Sequence, residues 1–414
     1  MATFFLIIIY LAFISLGLPD SLLGAAWPVM SKDMDASLST AGAISMVVAG
    51  STIISSLMSG YVLKRFGIGK VTLISCLMTA AALLGFAWSP SLIWLILFAI
   101  PLGLGGGSVD AGLNSYVAAH YKAHHMSWLH CFWGVGATLG PIIMASYISG
   151  QNLWRQGYLT VAAIQFGLVI ILLVSLPLWD KVAKLSGAAA EQDNAVKRAS
   201  DRSAVSSADQ EEEQQLKNMK PWNVKGVKLA MLTFLFYCGI EASVGLWGSS
   251  FLVNVKELDA AAAAQWVSVF YIGITAGRMI TGFITFKMSN RKLIRYGQLI
   301  ALLGTVLLVL PLPSIVSLIG FIVIGLGLAP IFPCMLHETP ARFGKTHAQS
   351  IMGYQMATAY TGSTLIPPFL GVVASYFTIG IFPVFVVIFA IVMLLCTERL
   401  NRYLKKKRGR LIDA

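Results

Sequence analysis

Residues 92–118 read LIWLILFAIPLGLGGGSVDAGLNSYVA. The stretch exceeds the roughly 20 apolar residues that a membrane helix needs, and its one charge is Asp110. A carboxylate at membrane depth is costly and persists where it faces a bundle interior or a wet cavity. Two more acids stand in equally apolar surroundings: Asp20 in GLPDSLLGAAWP (17–28) and Glu241 in FYCGIEASVGLW (236–247). Together they point to a solute or proton path through a membrane bundle.

The composition agrees. The 414 residues are 57% hydrophobic and 12% charged, about half the charged fraction of a soluble domain. Apolar segments fall at 4–28, 41–63, 70–89, 92–118, 128–149 and 157–178, then at 227–253, 263–285, 293–312, 315–335, 349–375 and 377–396. In lipid the backbone must satisfy its own hydrogen bonds, so these segments are helices. The fold expected is all-α and polytopic, with twelve transmembrane helices in two six-helix halves. Residues 1–179 form the first half and 226–398 the second. Between them, 180–225 is polar, Ala/Ser/Gln/Glu-rich and short of core-forming residues, so a polar linker is expected there. Residues 399–414 form a basic tail.

Charge sets the orientation. With the N-terminus inside, Lys32, Arg155 and Lys256 are the basic residues outside, Arg278 lies within a span, and all others of the 30 Lys and Arg face the cytoplasm. That asymmetry predicts both termini cytoplasmic in a plasma (inner) membrane. The tail RYLKKKRGR then meets anionic lipid headgroups rather than nucleic acid. The five cysteines lie in apolar segments without a CxxC pair, so neither metal nor disulfide is expected. No catalytic constellation stands out, and GLGGG lacks the preceding strand and the GK[ST] of a nucleotide loop. An enzyme is not expected, nor a cofactor beyond a proton gradient.

Several residues are candidates for the path. Gly17 and Pro19 break the first span beside Asp20. Asp110 and Asn114 are four apart and share a helix face, a pairing suited to sugar hydroxyls or protons. Glu241 is a third candidate for proton coupling and solute contact, and Trp247 can offer an aromatic face to a sugar ring. Arg278 either pairs with an intramembrane acid or snorkels to the rim, and Lys287 nine residues on favours snorkelling. His130, early in the fifth span, is expected to pack or gate rather than relay protons.

The loop GYVLKRFGIGK (60–70) resembles the major facilitator signature G-x-x-x-D-R-x-G-R-R/K through Gly60, Arg65, Gly67 and Lys70, with Lys64 in place of the aspartate. A fainter echo, GFITFKMSNRK, follows at 282–292. More specifically, GLPDSLL, SVDAGLNSYVA, SWLHCFWGVGATLGP, FYCGIEA and GRMITGF resemble the fucose–galactose–glucose proton symporter family. The resemblance implies the major facilitator fold and cavity roles for Asp20, Asp110 and Asn114. It also implies gating roles for the 60–70 loop.

The expected function is therefore alternating-access import of a monosaccharide, or a similar small neutral solute, with protons. A monomer with no nucleic-acid partner is expected. One alternative is proton-coupled drug or metabolite efflux. Against it, GVGATLGPIIM (134–144) lacks the closing glycines of the antiporter signature G-x-x-x-G-P-x-x-G-G. A non-transporting membrane sensor is a more distant alternative.

Overall fold

The computed structural model describes residues 2–120, 123–149, 153–200 and 221–412. Among these every regular element is helical. The first half comprises α1 (Ala2–Asp20), α2 (Leu22–Asp33), α3 (Leu38–Phe66), α4 (Ile68–Trp88), α5 (Leu92–His120), α6 (Ala123–Ile148) and α7 (Trp154–Ser200). The second comprises α8 (Val227–Lys256), α9 (Ala260–Ile284), α10 (Asn290–Val309), α11 (Ser314–Leu328), α12 (Ile331–Phe343), α13 (Lys345–Tyr376) and α14 (Phe382–Ile412).

Two of the expected spans are broken. The first is the pair α1–α2 and the tenth the pair α11–α12, so fourteen helices make twelve crossings. Eleven of the crossings are long and apolar enough to span a bilayer by length and composition alone. The twelfth, α13, is too polar for that test, carrying Gln355, Thr358, Tyr360, Thr361, Ser363 and Thr364 within its 32 residues.

The linker differs from its expected form. Residues 180–200 continue α7, a helix of 47 residues, rather than leaving it. The stretch GAAAEQDNAVKRAS (187–200) is rich in strong helix formers, and propensity extends the helix without a packed core. The rest of the expected linker, at 201–220, lies outside the described residues.

Proline breaks govern the packing of the first half. Pro19 has no N–H for the Ser15 carbonyl one turn back; the Gln165 amide of α7 donates to that oxygen at 2.6 Å. Ser15 returns its hydroxyl to Gln165 Oε1 at 2.7 Å. Pro141 in α6 likewise leaves the Ala137 carbonyl without its helical donor, and Ser21, at the α1–α2 break, donates to it at 2.8 Å. The second half holds a related polar knot: Gln298 of α10 donates to Thr397 of α14 at 2.8 Å, and Thr397 lies 3.3 Å from Thr233 of α8. Interhelical bonds of this kind lock each half in a solvent without water.

The halves meet along α6 with α9, α3 with α13, and α2 with α8. Small residues permit the approach. A Cβ on Gly24 would lie 2.1 Å from the Gly245 carbonyl oxygen, one on Gly134 2.1 Å from Thr275 Oγ1, and one on Gly42 2.8 Å from Pro368 Cα. The Gly24 and Gly42 contacts lie toward the face opposite the termini, so that side of the interface is shut.

The proline account makes a sharp prediction. Gln165→Leu strands the Ser15 carbonyl and should cost about 1–3 kcal/mol. Pro19→Ala restores the missing N–H, so the double variant should recover much of the loss in thermal unfolding of purified protein. A double variant as unstable as Gln165→Leu alone would contradict it.

Candidate functional site

The three intramembrane acids lie on the first, fourth and seventh crossings, the leading helices of three of the four three-helix sets. Asp20 ends α1 at the break. It stays accessible at the break although apolar spans surround it, and Asp110 and Glu241 lie close enough to act on it, which puts it toward the bundle interior rather than lipid. Its Oδ2 accepts from the indole Nε1 of Trp133 in α6 at 2.8 Å. Gly17, one turn earlier, sets this approach, because a Cβ there would lie 2.0 Å from the Trp133 carbonyl oxygen.

Trp133 leads into the second half. The Arg278 guanidinium of α9 stands 5.3 Å from its ring centroid, and Tyr271 meets it edge-on at 6.2 Å. Arg278 pairs with Glu241 of α8, Nη2 to Oε1 3.7 Å, and donates to the Tyr237 hydroxyl at 3.4 Å. The Arg278 and Glu241 side chains are only 10% and 17% exposed. The expectation that Arg278 snorkels is therefore corrected. An opposite charge one helix away at the same depth offers a better partner than a distant rim.

Asp110 makes the second link between the halves. Asn114, one turn on, donates to its Oδ1 at 2.8 Å and to its backbone oxygen at 3.0 Å. Tyr360 of α13 donates its hydroxyl to Oδ2 at 3.0 Å. Asp20 and Asp110 are thus held by neutral donors, whereas Glu241 is held by a cation. Three carboxylates share one guanidinium, so the ionised cluster carries excess negative charge. Protons or a cation must offset that charge whenever the cavity closes and dries.

Trp247 is a second correction. It is fully buried, its Nε1 donates to the Pro367 carbonyl at 2.8 Å, and a Cβ on Gly371 would lie 2.5 Å from its ring. Its face is used in packing α8 on α13 and is not offered to a solute. His130 sits edge-on to Phe13 at 6.0 Å and to Phe332 of the other half at 6.4 Å. The expected 60–70 loop is reduced to Gly67, since α3 runs to Phe66 and α4 begins at Ile68; Gly67 takes φ +77°, a conformation that favours glycine. A Cβ on Gly60 would meet nothing within 4 Å, and Lys70 is exposed. Arg65 donates to Tyr61 of its own helix at 3.0 Å. None of these contacts reaches the second half.

Sequence reasoning missed Trp133 and Tyr360. Trp133 stood in a segment already singled out, three residues after His130. Tyr360 had a usable signal in YQMATAYTGST (354–364), the most polar stretch of any second-half span.

The Major Facilitator Superfamily model matches residues 9–367. This chain belongs to that superfamily. The superfamily is one of membrane transporters, and the chain is a transporter rather than an enzyme. It is 23% identical over 319 residues to the glucose/mannose transporter GlcP of Bacillus subtilis, covering 76% of this chain and 74% of that one. It is 24% identical over 396 residues to the yeast Bypass of stop codon protein 6, covering 89% and 76%. The fold matches a crystal structure of the peptide transporter POT in complex with sulfate, with TM-score 0.70 at 14% identity over 95% of this chain and 94% of that one.

If Arg278 and Glu241 form a compensated pair, either neutralised alone leaves a stranded charge. Glu241→Gln or Arg278→Gln should each cost about 3–5 kcal/mol, and the double variant should lie close to wild type. Thermal unfolding of the three proteins checks this; additive losses in the double variant would contradict the pairing.

Proposed function

We propose that this transporter imports a small neutral solute, with monosaccharides the favoured class, together with protons. Its setting is a plasma (inner) membrane with both termini in the cytoplasm. One observation carries the reading: Asp20 and Asp110 lie at the interface of the halves and, among the described residues, accept from neutral donors alone, Trp133, Asn114 and Tyr360. Such donors and acceptors can be exchanged for sugar hydroxyls without stranding a charge. The cluster's one cation is engaged by Glu241, which disfavours an anionic cargo. The similarity to a glucose/mannose transporter supports the sugar class, and the charge asymmetry of the loops supports the orientation.

In the cycle, Asp110 takes a proton from the outer side, and the solute binds between the halves beside Asp20 and Asn114. Neutralisation removes the charge that a closing cavity cannot hold. Rocking of the halves then opens the inner side, where solute and proton leave. Glu241 is engaged by Arg278, so the roles of proton carrier and solute contact fall on Asp110, Asp20 and Asn114. The basic tail rests on anionic headgroups, and the working unit is a monomer.

Proteoliposomes loaded with a pH gradient test the reading. Wild type should accumulate labelled glucose, mannose or galactose, to about tenfold per pH unit for each proton carried. Asp110→Asn copies the protonated form and should lose this accumulation while keeping solute exchange; Asp20→Asn should weaken both. Full accumulation by Asp110→Asn would send the proton elsewhere.

A further inference from the structure

The cycle above needs a device by which a proton on one half is felt by the other. We propose that Tyr360 is that device: it ties α13 to α5 through Asp110, and a proton on Asp110 loosens the tie so that the termini-bearing face can open. This rests on reading Asp110 as the proton-binding acid.

The placement supports it. Asp110 lies 18 residues into α5, about 27 Å along its axis, and Tyr360 lies 15 residues into α13, which runs the opposite way. The two therefore meet near mid-membrane, somewhat toward the face that bears the termini. On the opposite face the halves are already shut by Gly24 against Gly245 and Gly42 against Pro368. The tie accordingly bears on the other side, where it stands beside the Gly134–Thr275 and His130–Phe332 contacts between the halves.

The two oxygens of Asp110 are divided between the halves. Oδ1 accepts from Asn114 of its own helix, at 2.8 Å, and Oδ2 from Tyr360 of the other, at 3.0 Å. Both bonds are charge-assisted while the acid is ionised, and charge assistance roughly doubles the strength of such a bond. Protonation removes that assistance and turns one acceptor oxygen into a donor, so the Tyr360 contact survives only as a weaker neutral bond in which the phenol oxygen can accept. Asn114 is fixed one turn away, so the bond to give way is the one that spans the halves.

Few other titratable groups bear on this pair. Asp110 and Glu241 on α8 act on Asp20 of α1, and Cys238 on α8 acts on Tyr360. Ser56 of α3 stands near the Tyr360 hydroxyl and donates to the Gly107 carbonyl, so the tyrosine has a polar neighbour in the first half when Asp110 lets go. The tie is then graded rather than all-or-none, with a population change of about tenfold for the loss of charge assistance.

The test measures the separation of the halves without any solute. Genetically encoded spin labels replace Phe66, at the end of α3, and Ser289, just before α10, both exposed. Distances between them are recorded by pulsed electron resonance in lipid at pH 8 and pH 5.5. Wild type should gain a longer-distance population at pH 5.5, about tenfold over pH 8. Tyr360→Phe should show that population at both pH values, and so should Asp110→Asn, which supplies a permanently uncharged acid. A Tyr360→Phe protein that shifts with pH as wild type does would overturn the tie. So would a wild type whose distances ignore pH. Sugar uptake is measured on the same proteins in parallel. Loss of all sugar uptake with the pH-dependent distances intact would sink the cargo reading and leave the tie standing.

Discussion

A carboxylate held inside a membrane bundle must be given hydrogen-bond donors or a counter-charge, and the rest of this structure follows from how that demand is met. Asp20, Asp110 and Glu241 cannot be solvated by lipid. Each is met instead by a group from another helix: Trp133, Tyr360 and Arg278. One of these contacts, Tyr360 with Asp110, joins one six-helix half to the other, and Arg278 over Trp133 links two of the partners across the same seam. The interface is therefore where these carboxylates are held.

The same demand applies to the backbone. Pro19 and Pro141 each release a carbonyl that lipid cannot satisfy, and Gln165 and Ser21 answer them from neighbouring helices. These answers fix α1, α6 and α7 relative to one another and so deliver Asp20 to the cavity beside Trp133. A proline break in the first span is thus both the source of local freedom and the reason for a rigid polar knot around it. Rigid halves with a polar seam are what rocking about a central site needs.

Much of this was legible in the sequence. Apolar length gave twelve crossings, the basic residues divided unevenly between loops, and the cost of buried charge singled out Asp20, Asp110 and Glu241 before any coordinates. What stayed hidden depended on which helix faces which. The pairing of Arg278 with Glu241 needs α9 and α8 at one depth, and sequence spacing to Lys287 argued for the rim instead. Trp247 looked like a sugar platform because its residue type suits one; only packing shows its indole spent on the Pro367 carbonyl. Tyr360 was overlooked because α13 is polar, and that polarity is what a cavity-lining helix requires. The helix through 180–200 follows from propensity, which an argument about missing core residues does not address.

The central claim is that the acids at the interface carry protons together with a neutral solute. It is tested most directly by adding sugar to lightly buffered proteoliposomes with no imposed gradient and following the external pH. Movement of glucose or a related monosaccharide inward should draw protons with it, so the outside should turn alkaline at once, in fixed ratio to the sugar taken up. Protonophore should abolish the pH signal and leave downhill sugar entry. Sugar entry with no change in external pH would contradict the account.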